Sequence, residues 1–409
     1  MLEATPANLA HDPAADRVSR LLKPSGRSDV PAFMVMDVMA AAARIEAEGG
    51  HVIHMEVGQP AASAPKTALL AARAALDGAR LDYTSALGMP ALRSRIAAHY
   101  RETHGHQVEA ERIVVTTGSS GAFILAFLAM FEPGDRVAVT VPGYPPYRHI
   151  LTALGCEPVL IETSGENRHA LTGEALLAAH HRTPLKGVLV GSPANPTGTM
   201  MSREALASLI AAAESAGIRF ISDEIYHGLD YAFPAVTAAA LSPHALVINS
   251  FSKYFCMTGW RVGWMLVPEP LVRPIERLQQ NLAISVPTLS QIAAAAAFDG
   301  RDEMEAVKRG YQENRGILIA GLPQAGLTRF LPADGAFYLY ADISAFSSDS
   351  FEFAKEMLEQ AHVAATPGVD FDPVHGRSFI RFSYARSAGE MHEAVARITR
   401  WLGQRSRYL

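Results

Sequence analysis

The sequence predicts an α/β protein: a large domain with a mostly parallel central sheet covered by helices, plus a smaller α+β domain formed by the C-terminal part and the N-terminal segment. Three observations predict it. From Ile113 onward, short β-branched runs alternate with alanine- and leucine-rich stretches of helical length. These runs are continuously apolar, as in strands buried on both faces of a parallel sheet. The chain has 409 residues, more than one ordinary core accommodates, so two domains are expected.

In chain order, residues 1 to about 30 mix Pro, Asp, Arg and Ser without a period and read as an arm. Residues 34–47 are rich in alanine and methionine and read as a helix, which Gly49-Gly50 stops. A short strand is expected over 51–57, and Gly58-Gln59-Pro60 turns the chain. The apolar runs that follow are Ile113-Val114-Val115, Val137-Ala138-Val139, Val159-Leu160-Ile161, Val188-Leu189-Val190, Phe220-Ile221 and Leu246-Val247-Ile248. Helix-like stretches such as 122–131 and 204–216 lie between them. After Val267 the chain turns helical, then alternates a strand at 337–343, a helix near 351–361, a strand at 379–384 and a closing helix after Gly389. The expected division is an arm and part of the small domain over 1–65, a large domain over 66–288 and a small C-terminal domain over 289–409.

The bulk numbers exclude several classes. A formal net charge of −5 gives no reason to expect nucleic acid or an anionic membrane as partner. The longest strongly apolar stretch, 122–131, is too short to cross a bilayer, and the N-terminus has no signal-peptide pattern. Two cysteines, Cys156 and Cys256, make a disulfide framework unlikely to form and point to the cytoplasm. No Cys, His and carboxylate cluster has metal-site spacing, so no metal is expected.

Four segments carry candidate chemistry. Ser250-Phe-Ser-Lys253 follows the 245–248 strand, which puts a lysine and two hydroxyls at the sheet edge where open α/β folds bind ligands. Lysine suits Schiff-base chemistry because its amine is deprotonated by suitable neighbours; a solvated surface lysine is the ordinary alternative. Arg261, eight residues on, suits a phosphate, or else a nearby carboxylate. Thr117-Gly-Ser-Ser-Gly-Ala122 joins a strand to an apolar helix and reads either as an anion cup with Ser119 and Ser120 as donors or as a plain N-cap. Ser222-Asp-Glu-Ile-Tyr226 places Asp223 at a strand end, with Tyr226 over the same ligand if the chain turns there, and Asn195-Pro-Thr-Gly198 is a turn by composition.

The ordered set Gly58, Tyr83, Gly118-Ser119-Ser120, Tyr144, Asn195-Pro-Thr-Gly198, Asp223-x-x-Tyr226, Ser250-x-x-Lys253, Arg261 and Arg381 closely resembles the class I/II aminotransferases of pyridoxal 5′-phosphate (PLP) fold type I, the aspartate aminotransferase superfamily. The stretch SFSKYFCMTGWRVGW is similar to that family's lysine motif. The resemblance runs from about residue 30 to the C-terminus. It implies that Lys253 forms the internal aldimine with PLP and that Asp223 pairs with the pyridine nitrogen, kept ionised by nearby positive charge and hydrogen bonds. It further implies that Asn195 and Tyr226 donate to the ring's phenolic oxygen and that Tyr144 stacks on the ring. Ser119, Ser120, Ser250 and Arg261 would hold the phosphate, with Ser252 a further candidate. Arg381 would clamp the substrate carboxylate near the Gly58 backbone, with Asn195 beside it.

Tyr83 is the position that family dimers send into the partner's site, so a homodimer is implied. The implied reaction moves an amino group between an L-amino acid and a 2-oxo acid in two ping-pong halves, with Lys253 as general base and acid. A carbon–sulfur lyase, or another enzyme of the same fold, shares nearly all these residues and is separated by whether a 2-oxo acid acceptor is needed. A non-catalytic PLP-sensing module would carry a DNA-binding domain, for which residues 1–30 are too short. Some aspartate-preferring relatives have Lys where this chain has Ser120, which favours a neutral or broad donor range. The side-chain pocket is expected near 58–62 and 144–148.

Overall fold

Residues 21–405 are described by the computed structural model, so residues 1–20 of the expected arm lie outside the described residues. The helix expected over 34–47 is Met34–Ala47. The strands, in chain order, are β1 (Ile53–His54), β2 (Ile113–Thr116), β3 (Arg136–Val141), β4 (Glu157–Glu162), β5 (Gly187–Gly191), β6 (Arg219–Asp223), β7 (Leu246–Ser250), β8 (Gly263–Leu266), β9 (Tyr338–Asp342), β10 (Val363–Ala364), β11 (Thr366–Pro367) and β12 (Phe379–Ser383). All six apolar runs are strands of one seven-stranded sheet, ordered β2-β8-β7-β6-β5-β3-β4.

The apolar runs are continuous because both faces of this sheet are covered. Val188, Val190, Phe220 and Val247 face one core, which reaches into the smaller sheet. Their neighbours Leu189, Ile221, Leu246 and Ile248 face a second core, against Phe123 and Phe127 of the helix Gly118–Met130 and Ile275 of the helix Glu269–Leu282. Successive strand residues point to opposite faces, so the runs of β2, β3, β5, β6 and β7 each supply both cores, whereas β4, at the sheet edge, packs Val159 and Ile161 on one core and leaves Leu160 exposed. The helix Arg203–Ser215 starts at Ser202, whose hydroxyl accepts the N–H of Ala205 at 3.2 Å.

Two differences from the expected elements bear on the site. β8 runs antiparallel between β2 and β7 and was not expected as a strand. It is four residues long, Gly-Trp-Met-Leu, with no β-branched residue, and follows directly on a turn. The strand expected over 51–57 is only Ile53–His54, parallel to β10. Beyond it the backbone changes partner: Met55 N–H donates to Ala364, while Met55 C=O accepts the N–H of Ser383. β12 lies between β11 and β9, antiparallel to both.

Candidate active site

Strand direction gathers the site. β3, β5, β6 and β7 run parallel, and β8 reverses between β7 and β2, so β2 points the same way as they do. The C-terminal ends of these five strands therefore deliver Gly118–Ser120, Tyr144, Asn195, Asp223 and Lys253 to one edge. Arg261, two residues before β8, reaches the same edge from the opposite direction. There Ser119, Ser120, Tyr144, Asn195, Asp223, Lys253 and Arg261 line a cavity of about 250 Å³, together with Gly58, Tyr226, Ser252, Tyr338 and Arg381.

The Lys253 amine donates to the Gly58 carbonyl at 2.5 Å and lies 5.9 Å from the ring centres of Tyr226 and Phe337. Burial, with repulsion from Arg381 and Arg261, lowers its pKa to about 8, against a smaller pull from Asp223. A glycine is required at 58, because a Cβ there would sit 1.7 Å from the Tyr338 hydroxyl. Asp223 is buried and accepts hydrogen bonds from the Tyr147 hydroxyl and the Ile225 N–H. Burial raises the carboxyl to about 6 against the pull of its two donors and of Lys253, so it is still mostly ionised at neutral pH. Tyr226 O–H and Tyr338 O–H share a 2.8 Å hydrogen bond, and burial pushes both hydroxyls up.

At the other end, the helix Gly118–Met130 begins without a side-chain cap, which leaves its first N–H groups open beside Ser119 and Ser120. Gly118 has φ +71°, and a Cβ there would meet the Arg261 guanidinium at 2.5 Å, so glycine lets the arginine approach the helix start. Ser252 and Thr258 line the cavity. Ser250 lies behind them, its hydroxyl directed to Ser252 Oγ at 2.9 Å and to the Val262 carbonyl at 3.2 Å.

Arg381 projects from β12 and is 2% exposed. It donates to Asn195 Oδ1 at 2.9 Å, to Thr366 Oγ1 at 3.0 Å and to the Glu56 carbonyl, and it packs against the Tyr338 and Phe371 rings. Its Nε has no partner among the described residues. Tyr83 stands apart from the cavity at 80% exposure.

The expected pocket ranges hold in part. Gly58, Gln59, Tyr144 and Tyr147 line the cavity, whereas Pro60, Ala61, Ala62, Pro145, Pro146 and Arg148 do not. Phe33, Val35 and Met36 supply the missing wall. They were missed because they open a helix more than 180 residues from the lysine, with no motif to mark them. Tyr147, inside the expected 144–148 range, has no role in the sequence reading; its position one helical turn after Tyr144 is the available signal. Among the described residues, no three His, Cys, Asp or Glu side chains could hold a metal, and no helix is long and apolar enough to cross a membrane.

A buried lysine of lowered basicity, a buried carboxylate, an open helix N-terminus with an arginine and a second, buried arginine at one sheet edge define a PLP-binding α/β enzyme. The family profile for aminotransferase class I and II matches residues 50–398. The chain is 48% identical over 380 residues to the valine–pyruvate aminotransferase of Mycobacterium tuberculosis, covering 92% of this chain and 97% of that one. Among solved structures, an aminotransferase from Mycobacterium tuberculosis superposes with TM-score 0.91 at 47% identity, over 93% of this chain and 99% of the other. The aspartate aminotransferase of Thermus thermophilus with maleate superposes with TM-score 0.85 at 30% identity, over 94% and 98%. The chain therefore belongs to the aminotransferase class I and II family: it is an aminotransferase that uses PLP. The residues present fit that cofactor, with an amine for its aldehyde, a carboxylate for its ring nitrogen and unpaired donors at the helix start for its phosphate.

Proposed function

We propose that the chain transfers the amino group of a neutral L-amino acid to a 2-oxo acid, with Lys253 as the proton carrier. The observation that carries this reading is the joint placement of Lys253, Asp223 and Arg381 on one cavity. Bound PLP supplies an aldehyde and a pyridinium ring that accepts the electrons released at the substrate Cα. Asp223 would hold the proton on the ring nitrogen, with Tyr147 fixing the carboxylate's orientation. Tyr226 and Asn195 would donate to the ring's phenolic oxygen, and Tyr144 would cover one ring face. Ser119, Ser120, Ser252 and Arg261 would hold the phosphate, with Ser250 orienting Ser252.

Arg381 would pair with the substrate α-carboxylate, turned toward it by Thr366 and the Glu56 carbonyl. With one carboxylate clamped, Lys253 Nζ can take the proton from Cα and later return one. Its lowered pKa supports this role, because a neutral amine is accessible near neutral pH. Among the described residues, the charged ones lining the cavity are Asp223, Lys253, Arg261 and Arg381, each already assigned, so this lining offers no further cation for a second carboxylate on a donor. The valine–pyruvate aminotransferase of Mycobacterium tuberculosis, 48% identical to this chain, agrees with a neutral donor.

The finer expectations join this reading: a homodimer in which Tyr83 reaches the partner's phosphate site, a cytoplasmic enzyme, and domains divided at 65 and 288. The exposure of Tyr83 supports the first, and the two free, buried cysteines support the second. The test starts with purified protein incubated with PLP, which should turn yellow, and borohydride should fix the label on Lys253. Neutral amino acids should then bleach the aldehyde absorbance in a half-reaction. Turnover confined to aspartate and glutamate, or pyruvate and ammonia released without a 2-oxo acid acceptor, would overturn it.

A further inference from the structure

Tyr338 reaches the active-site cavity from the smaller sheet. It opens β9, which pairs with β12, whereas Tyr226 stands three residues beyond β6 of the seven-stranded sheet. The two hydroxyls meet at 2.8 Å, and among the described residues this is the one hydrogen bond either of them makes. Both side chains are buried, Tyr338 at 1% exposure and Tyr226 at 4%.

The surroundings hold Tyr338 in place. Its hydroxyl lies against the Gly58 backbone, where a Cβ would come within 1.7 Å of it. The Arg381 guanidinium carbon stands 4.4 Å from the centre of its ring. The Tyr226 and Phe337 rings meet it edge-on, with centres 5.6 and 4.9 Å away. Its hydroxyl is therefore kept beside Tyr226 by groups that also touch Lys253 and the carboxylate clamp, since Gly58 presents its carbonyl to the lysine amine.

A count of protons then decides which way the bond runs. Burial keeps both phenols protonated at neutral pH, so each hydroxyl has one proton to give. With no other acceptor in reach, either can donate to the other. Once Tyr226 gives its proton to the phenolic oxygen of bound PLP, only Tyr338 has one left for the 2.8 Å contact. Tyr226 then accepts from Tyr338 while it donates to the cofactor. A hydroxyl that accepts a hydrogen bond becomes a stronger donor, by about 10–30% per bond.

We propose that Tyr338 is a positioning residue whose hydroxyl donates to Tyr226, and so orients and strengthens the hydrogen bond that Tyr226 gives to the cofactor's phenolic oxygen. This rests on the assignment of Tyr226 to that oxygen. A phenolic anion whose charge is drawn toward Tyr226 attracts the proton at Lys253 Nζ less, so Tyr338 lowers the pH at which that nitrogen gives its proton up. The other titratable and charged groups acting on the lysine and the two hydroxyls are Asp223, Tyr144, Arg261 and Arg381.

The test follows the visible absorbance of the PLP-loaded protein against pH, which reads the proton on Lys253 Nζ. Tyr338→Phe removes the hydroxyl and keeps the ring beside Arg381. It should raise the titration midpoint by about half a pH unit and leave KM for the amino donor within about twofold of wild type. Tyr226→Phe should raise the midpoint further, and adding Tyr338→Phe to it should cause no additional shift, because the two hydroxyls act in series. A ring-fluorinated tyrosine incorporated at position 338 is a more acidic phenol of nearly the same shape, and should lower the midpoint. A midpoint unchanged in Tyr338→Phe but raised in Tyr226→Phe, additive shifts in the double variant, or a midpoint raised by the fluorinated ring would overturn the proposal. No shift in Tyr226→Phe would remove the assignment of Tyr226 to the phenolic oxygen and this proposal together. If Tyr338→Phe does not fold, the fluorinated tyrosine decides by the direction of its shift.

Discussion

Lys253 and Asp223 sit in opposite electrostatic difficulty, and both consequences are measurable. Burial lowers the lysine to about 8 and raises the aspartate to about 6. In the cofactor-free protein, PLP capture should therefore speed up with pH and level off near 8, whereas an ordinary lysine would keep gaining to about 10.5; stopped-flow absorbance at the aldehyde band checks this. An acid whose folded pKa lies above its unfolded value of 3.8 binds more protons folded than unfolded between the two, so its ionisation costs stability above about 6 and nothing below 3.8. Cofactor-free Asp223→Asn should thus be more stable than wild type at pH 8, by on the order of 2 kcal/mol, with the gain gone near pH 4. The same variant should lose roughly 100-fold or more in turnover. Denaturant titration at the two pH values and steady-state rates read the two effects separately. For Arg381→Lys, loss of the planar fork should raise KM for every donor by roughly 30- to 100-fold while PLP absorbance persists.

Elements matter because their ends, not their middles, build the site. The reversal of β8 carries Arg261 back to the edge where the parallel strands end, opposite the open start of the helix Gly118–Met130. Gly118 makes that approach possible, with φ +71° and no Cβ in front of the guanidinium. Gly118→Ala should push the arginine off the phosphate position and strain the turn. PLP should then bind about tenfold more weakly, the loss of roughly one charge-assisted hydrogen bond, in a fluorescence titration of the cofactor-free protein. The handover of residues 53–55 from β10 to β12 is the other such joint, because Glu56, directly after it, presents the carbonyl that orients Arg381.

At the scale of the whole molecule, Tyr83 is the informative residue. It is large, 80% exposed and does not line its own cavity. Its exposure leaves the ring free for a second copy to cover, as the proposed dimer requires. Sedimentation should give twice the chain mass, and the melting temperature should rise with protein concentration. Tyr83→Ala should keep the fold and weaken PLP binding. A monomer at micromolar concentration with full activity would count against the dimer.

Much of the site was legible in the sequence because its residues sit at strand ends, and a parallel sheet sends all its strand ends the same way. The six apolar runs located the strands, and Ser119, Tyr144, Asn195, Asp223, Lys253 and Arg381 followed from small or polar residues placed just beyond strands or within an ordered motif. Local pattern therefore determined the fold class and the edge, while the ordered set of motifs and its family resemblance singled out the lysine. Tertiary structure alone decided what depends on contacts between distant segments: the wall made by Phe33, Val35 and Met36, the bond between Tyr338 and Tyr226, the Tyr147 bond to Asp223 and the placing of Ser252 before Ser250. It also decided the sign of the shift at Asp223, since desolvation is set by everything packed around a carboxylate and leaves no trace in the residues beside it in the chain.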